Sequence, residues 1–262
     1  MVRIHGRPVW YELASAPGRR DAAEDFYAAL FGWKIEDAGM AGFDYRLASR
    51  DGNMVAGMMP MPDDAPDMPP FWMVYFGVDD ADRATQAATG AGARVHRPPA
   101  DIPGTGRFAL LADPQGAAFG ILDPLPMQDE GHGHAFDPEK SGHCHWQELM
   151  TGDPDAALRF YGELFGWEKS TAIPMGAMGT YQLFAHDGAD IGGMQGQGDA
   201  PFPIWLPYFG HDGIEEAIAM IRELGGTVLH GPQEVPDGAF IAIAQDVQGA
   251  HFAVAGPRTR RA

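Results

Sequence analysis

Asp21-Ala-Ala-Glu-Asp-Phe-Tyr-Ala-Ala-Leu-Phe-Gly-Trp33 returns as Asp155-Ala-Ala-Leu-Arg-Phe-Tyr-Gly-Glu-Leu-Phe-Gly-Trp167, 134 positions further along the chain. In the first stretch Ala23, Phe26, Tyr27 and Leu30 recur at steps of three and four, and Ala157, Phe160, Tyr161 and Leu164 do so in the second. That spacing lines one face of a helix with apolar side chains. Asp153 followed by Pro154 supplies an N-cap side chain and a proline at the first helical position. Gly32 and Gly166 fall where a left-handed residue ends a helix.

Working outward, the two copies continue to match in order. Trp10-Tyr-Glu-Leu13 precedes the first helix and Trp146-Gln-Glu-Leu149 the second. Val55-Ala-Gly-Met58 matches Ile191-Gly-Gly-Met194, and Tyr75-Phe-Gly77 matches Tyr208-Phe-Gly210. Asp113-Pro-Gln-Gly116 matches Asp246-Val-Gln-Gly249. Ordered self-similarity over a unit of about 130 residues marks a tandem repeat. Each copy reads as strand, helix and strands, twice over. Val9 to Ala14 is a short apolar strand, Tyr45 to Ala48 and Met54 to Met59 are strands meeting at Asp51-Gly-Asn53, and Phe71 to Val78 opens the second half. Asp80 to Thr89 is a helix ending at Gly90 and Gly92, and two last strands meet at Asp113 to Gly116. Residues 127–142, rich in His, Asp and Glu, read as a polar linker. His132 and His134 there are solvated side chains more readily than metal ligands.

The bulk numbers exclude several classes of function. A chain of 262 residues, 45% hydrophobic and 21% charged, is a folded globular protein. Its net charge of −18, with only Lys34, Lys140 and Lys169 as lysines, repels a polyanion, so no nucleic-acid partner is expected. The lone cysteine, Cys144, excludes an internal disulfide and a cysteine-based zinc site. His143 and His145 flank it, but adjacent strand residues face opposite sides, which argues against a Cys–His nucleophile. No Gly-x-Gly-x-x-Gly or Gly-x-x-x-x-Gly-Lys stretch points to a nucleotide. No signal peptide or membrane-length apolar run is present, and a soluble cytoplasmic protein without a membrane partner is expected.

Strand–helix–three-strand modules with a Phe-Tyr…Leu-Phe-Gly-Trp helix and an Asp-Pro-Gln-Gly turn resemble the vicinal-oxygen-chelate superfamily of glyoxalases, bleomycin-resistance proteins and extradiol dioxygenases. The Trp-x-Glu-Leu strand and the Gly-Met fourth strand resemble its two-domain glyoxalase-like members, often labelled hydroxylases. The resemblance implies an α+β fold of two tandem domains, at 7–124 and 143–256. Each comprises two βαβββ modules that form a curled mixed sheet, a cup, with helices outside. Metal-binding members hold a divalent ion on His or Glu side chains from the first, fourth, fifth and eighth strands. The resemblance places those positions at Trp10, Gly57, Met73 and Gly120, and at Trp146, Gly193, Leu206 and Ala253. None offers a side-chain lone pair suited to such an ion, and neighbouring Ala56, Trp72, Gly192 and Trp205 offer none either. No metal or other cofactor is therefore expected.

Residues two apart on a strand share a face, which sets Glu12 beside Trp10 and Glu148 beside Trp146. Tyr75, Tyr208 and His251 are expected on the same concave surfaces, with Trp10 and Trp146, as ligand-binding residues or as core. Glu12 and Glu148 are candidate catalytic bases, each next to a tryptophan and expected to hold its proton more tightly than an exposed carboxylate. The alternative is a carboxylate that ties strands together through backbone groups, Arg46 or Arg107. Gly57 and Gly193 read either as room left open or as relief of crowding. The expected function is binding of a small organic molecule in a metal-free cup, as a binding module or as a lyase/isomerase-type enzyme. Two alternatives are a metal-dependent dioxygenase, hydroxylase or lactoylglutathione-lyase-like enzyme with displaced ligands, and a non-catalytic scaffold. A monomer or weak homodimer is expected, since two copies in one chain can pair with each other.

Overall fold

Four times along the chain a strand is followed by a helix and three more strands. The computed structural model describes residues 4–40, 42–62, 68–125, 135–198, 200–236 and 238–260. Residues 127–134 of the expected linker, with His132 and His134, lie outside the described residues. The first copy runs β1 (Pro8–Ser15), α1 (Arg20–Phe31), β2 (Lys34–Asp37), β3 (Arg46–Arg50) and β4 (Asn53–Pro60). It continues as β5 (Phe71–Gly77), α2 (Ala81–Gly90), β6 (Arg94–Ile102), β7 (Gly106–Ala112) and β8 (Ala118–Pro124). The second copy runs β9 (Cys144–Thr151), α3 (Pro154–Phe165), β10 (Glu168–Pro174), β11 (Thr180–His186) and β12 (Ala189–Gly196). It ends with β13 (Ile204–Gly210), α4 (Ile214–Glu223), β14 (Thr227–Glu234), β15 (Phe240–Gln245) and β16 (His251–Gly256).

The local chemistry read from the sequence is what sets these boundaries. Asp153 Oδ1 accepts from the Ala156 N–H at 2.9 Å, and Asp80 Oδ1 from the Arg83 N–H at 2.9 Å, so both carboxylates cap helix starts. In α1 Arg19 stands at the cap and makes no such bond. Gly32 at φ 64° and Gly166 at φ 76° end α1 and α3 in the left-handed region. Asp51 (φ 49°) and Gly52 (φ 82°) make the tight turn from β3 to β4. Hydrogen bonding orders the strands β2-β3-β4-β1-β5-β8-β7-β6 in one open sheet and β10-β11-β12-β9-β13-β16-β15-β14 in the other. Parallel pairs, β1 with β4 and β9 with β12, sit among antiparallel hairpins. The fold is α+β, as expected.

By its contacts the chain divides into two compact units that cut across the repeat. One comprises Met1–Val9, Met73–Gly133 and Trp146–Leu206, and the other Trp10–Trp72, His134–His145 and Pro207–Ala262. Each unit thus joins half of one copy to half of the other. The repeated motifs explain how each is closed. In the second unit the Trp72 indole N–H donates to Tyr27 Oη at 2.9 Å, and the Tyr27 hydroxyl donates to Asp246 Oδ2 at 3.1 Å. Asp246 Oδ1 accepts from the N–H groups of Gln248 and Ala250, fixing its turn. Gln248 reaches on to accept the Ala16 N–H at 2.9 Å, and the Trp33 indole donates to the Gly142 carbonyl at 2.7 Å.

The first unit repeats the tryptophan–tyrosine–aspartate chain and the second tryptophan's bond to a glycine carbonyl, with a different glutamine contact. Trp205 donates to Tyr161 at 3.0 Å, Tyr161 to Asp113 at 3.2 Å, and Trp167 to the Gly6 carbonyl at 2.7 Å. The Gln115 side chain both donates to and accepts from the Asp153 backbone, at 2.8 and 2.7 Å. The helix tyrosine of one copy therefore binds the turn aspartate of the other. Burial pushes both tyrosines well above their ordinary pKa and raises Asp113 and Asp246 as well. Residues 135–142, expected as linker, are built into the second unit: Ala135 is buried, and the Asp137 N–H donates to the Cys144 carbonyl at 2.9 Å.

Candidate functional site

The alternation of β1 buries Tyr11 and Leu13 and leaves Trp10 and Glu12 half-buried on the opposite face. Parallel pairing with β4 sets Glu12 across from Gly57. The Tyr45 ring lies over that glycine so closely that a Cβ there would run into it. From this position Tyr45 Oη accepts the Trp10 indole N–H at 2.9 Å and donates to Glu12 Oε2 at 2.8 Å. The second copy builds the same chain. Glu148 stands opposite Gly193, the Tyr181 ring covers Gly193, and the Trp146 indole donates to Tyr181 Oη at 2.8 Å. The Tyr181 hydroxyl bonds in turn to Glu148.

The structure thus brings each expected glutamate and tryptophan together through a tyrosine: Tyr45, read from the sequence only as part of a strand, and Tyr181, which the sequence did not single out. A signal was present: Tyr45 and Tyr181 each precede the glycine they cover by twelve residues. The reading of Gly57 and Gly193 as open room is corrected, because the hollow holds a phenol ring. Arg46 and Arg107 are engaged elsewhere, Arg46 with Asp37 at 3.2 Å and Arg107 with Asp82 at 2.6 Å and Asp101 at 2.7 Å. Burial, then the adjacent glutamate, pushes both phenols well above their ordinary pKa. They remain hydrogen-bond donors to the carboxylates at any physiological pH.

The two clusters differ in one neighbour. Gln195 Nε2 donates to Glu148 Oε1 at 2.8 Å, and Glu148 is 4% exposed. The position equivalent to Gln195 in the first copy is Met59, which has no amide to donate. Tyr75 and Tyr208 are buried: Tyr75 covers Gly120, and Tyr208 pairs with Ala253. His251 is exposed at the start of β16, its Nε2 3.2 Å from the Gln245 amide nitrogen. Cys144 is buried and its thiol bonds to Tyr11, while His145 Nε2 lies 2.8 Å from the Lys140 carbonyl. A cleft of about 220 Å³ lined by His5, Asp79, Arg83 and Leu164 contains none of the expected site residues.

These donor sets do not fit a divalent ion. Each cluster pairs a single carboxylate with a phenol that keeps its proton, and the phenol ring takes the space over the glycine where a fourth-strand ligand would project. Among the described residues no three His, Cys, Asp or Glu side chains converge as a metal-binding group. No helix among them is long and apolar enough to cross a membrane.

Comparison with known proteins gives consistent matches. The family described as the glyoxalase/bleomycin resistance protein/dioxygenase superfamily matches residues 14–121 and 140–254. CFP32 of Mycobacterium bovis, named as a glyoxylase, is 34% identical over 259 residues, covering 96% of this chain and 95% of that protein. The anthracycline biosynthesis protein DnrV of Streptomyces peucetius is 33% identical over 267 residues, covering 95% and 92%. Among solved structures, the Mn(II)-bound glyoxalase of Novosphingobium aromaticivorans aligns with TM-score 0.66 at 14% identity, covering 97% of this chain and 83% of that one. The 2,2',3-trihydroxybiphenyl 1,2-dioxygenase of Sphingomonas wittichii aligns with TM-score 0.67 at 12% identity, covering 98% and 92%. At those identities the structures speak for the fold.

Proposed function

Because this chain belongs to the glyoxalase/bleomycin resistance protein/dioxygenase superfamily, we propose that it binds a small hydroxylated organic molecule over its Trp–Tyr–Glu clusters without a divalent metal. Glu12 and Glu148 are the groups that accept a hydrogen bond or a proton from it. The observation that carries this reading is the same three-residue chain built twice, its tryptophan and glutamate on the first strand of each copy, one of the strands from which the resemblance draws metal ligands. A half-buried tryptophan offers an apolar face, and a carboxylate steadied by a phenol offers an acceptor. If proton transfer follows, the chemistry is of lyase or isomerase type, with the glutamate as base and the tyrosine holding it in place. The relatives named for anthracycline biosynthesis favour a flat aromatic ligand.

The test uses 1,4-dihydroxyanthraquinone as a probe, titrated against wild type and the double variant Glu12→Gln/Glu148→Gln with tryptophan fluorescence as readout. A hydrogen bond to a charged group is worth about 1.5–3 kcal/mol, so the double variant is expected to bind about tenfold more weakly or worse. Unchanged affinity removes the carboxylates from the site. Metal analysis of the purified protein addresses the other half of the reading, and a stoichiometric Mn, Fe, Zn or Ni ion held by these strands overturns it.

A second reading, a non-catalytic binding or scaffold protein, draws on the tyrosine rings that fill the hollows over Gly57, Gly120 and Gly193. Saturable probe binding that depends on the glutamates argues against a scaffold. Conversion of a bound substrate argues against a purely non-catalytic protein.

A further inference from the structure

Tyr45 and Tyr181 occupy equivalent places over their glycines, but the chain holds them there by different means. Tyr181 lies inside β11, where it pairs with Ile173 of β10, and the ladder runs one pair further, to Pro174 and Thr180. Tyr45 stands just before β3, whose pairing with β2 stops at Asp37 and Arg46. Beyond that point the Ala38 N–H donates to the Tyr45 carbonyl at 2.9 Å. Charge gathers where the ladder ends. The Asp44 carboxylate, next in the chain to Tyr45, forms an ion pair with the Arg20 guanidinium of α1 and lies 3.7 Å from Arg46 Nη2. Arg20 Nε also reaches Glu24 at 2.8 Å, and Arg46 Nη1 reaches Asp37 at 3.2 Å. Glu24 joins the two arginines, 3.5 Å from Arg46 Nε. The positions equivalent to Arg20, Glu24, Asp44 and Arg46 hold Pro154, Leu158, Thr180 and Gln182, none of them charged.

We propose that Asp44, held by Arg20 and Arg46, is a positioning residue for Tyr45, so that the Trp10–Tyr45–Glu12 cluster tightens or loosens with ionic strength while the Trp146–Tyr181–Glu148 cluster does not respond. Its consequence for a ligand rests on the binding reading above, to which it adds a regulation of the first site. An isolated ion pair in water carries little weight, whereas charges that share partners carry more. Here the cations are largely covered, the Arg20 side chain being 15% exposed and that of Arg46 26%. The Arg20 guanidinium holds the Asp44 carboxyl below its ordinary range, so the anion is present throughout neutral pH and salt is the lever. The reach of charge–charge attraction contracts from about 10 Å in 0.1 M salt to about 3 Å in 1 M. Backbone ladder bonds, which hold Tyr181, join neutral groups and are not screened in this way.

Fluorine NMR of the intact chain labelled with fluorotryptophan tests this, because the Trp10 indole donates to Tyr45 and the Trp146 indole to Tyr181. Trp10→Phe and Trp146→Phe identify the two signals, and Tyr45→Phe marks where the Trp10 signal goes once its bond is lost. As sodium chloride is raised to about 1 M, the wild-type Trp10 signal is expected to move toward that mark and the Trp146 signal to stay. Asp44→Asn is expected to cause the same movement at low salt, and Asp44→Glu, which keeps the charge, to restore most of it. In a Glu148→Gln background, where the first cluster is read alone, Asp44→Asn is expected to weaken binding of 1,4-dihydroxyanthraquinone about two- to fivefold. A Trp10 signal that ignores salt, which needs no variant to fold, overturns the inference. So does a Trp146 signal that moves as far, or probe affinity that Asp44→Asn leaves unchanged. If the probe does not bind while the Trp10 signal follows salt and Asp44, the binding reading falls and the positioning of Tyr45 stands.

Discussion

Tyr45 and Tyr181 show how much of a site can hang on one hydroxyl. Each phenol accepts from an indole N–H and donates to a carboxylate at once, so its removal breaks two hydrogen bonds. Tyr45→Phe is expected to destabilise the chain by about 1–3 kcal/mol, read from urea unfolding, because two hydrogen bonds at half-buried groups are lost. Gly57→Ala tests the same contact from below. Its methyl meets the phenol, and a cost of about 1–3 kcal/mol is expected from overpacking, with loss of the Tyr45 position. A neutral result for Gly57→Ala would show that the ring is free to move aside. At this scale the sequence was half legible. Strand alternation places Trp10 with Glu12 and Trp146 with Glu148, because period two is a local property. The tyrosine between them arrives from elsewhere in the chain, Tyr45 from just before β3 and Tyr181 from β11, and its place over the glycine follows from pairing that no local pattern encodes. For the same reason Arg46 and Arg107 were plausible partners for the glutamates and are bonded elsewhere.

The elements themselves follow from short-range chemistry. Asp153 caps where expected, Asp80 caps the helix it was expected to open, Gly32 and Gly166 stop their helices, and Asp51-Gly52 turns the β3–β4 hairpin. What the repeat did not disclose is that its two signature motifs are partners, the helix tyrosine of one copy and the turn aspartate of the other. That pairing carries a pH dependence. Burial raises the Asp246 carboxyl above its ordinary value of 3.8, so the folded chain holds this proton more tightly than the unfolded one. Its contribution to stability is greatest below the ordinary carboxylate pKa and is lost as pH rises through the folded value. A neutral carboxamide at this position can keep the backbone bonds to its oxygen and loses the bond from the Tyr27 hydroxyl at every pH alike. Asp246→Asn is therefore expected to gain on wild type as pH is raised from acid to neutral, measured by urea midpoints across that range. A gap that moves the other way would show that the aspartate is stabilised as the anion. Asp113→Asn, buried in the same way, is expected to behave alike.

For the molecule as a whole, each compact unit draws half its residues from each copy. Separately expressed 7–124 and 143–256 would each lack the partners of its helix tyrosine and its turn aspartate. Neither is expected to give a stable monomer; each is expected to self-associate or to stay poorly folded, and mixing the two should restore a one-to-one complex by size-exclusion chromatography and circular dichroism. Two independently stable monomeric halves would contradict the reciprocal clamps. The intact chain, whose clamps are met internally, is expected to be a monomer. There is a consequence for how such a molecule can change over time. In an assembly of two identical subunits, every substitution appears on both sides together. Written into a single gene, the halves keep a shared skeleton while each drifts on its own, so that one can retain an inherited pocket and the other can acquire a different task or none.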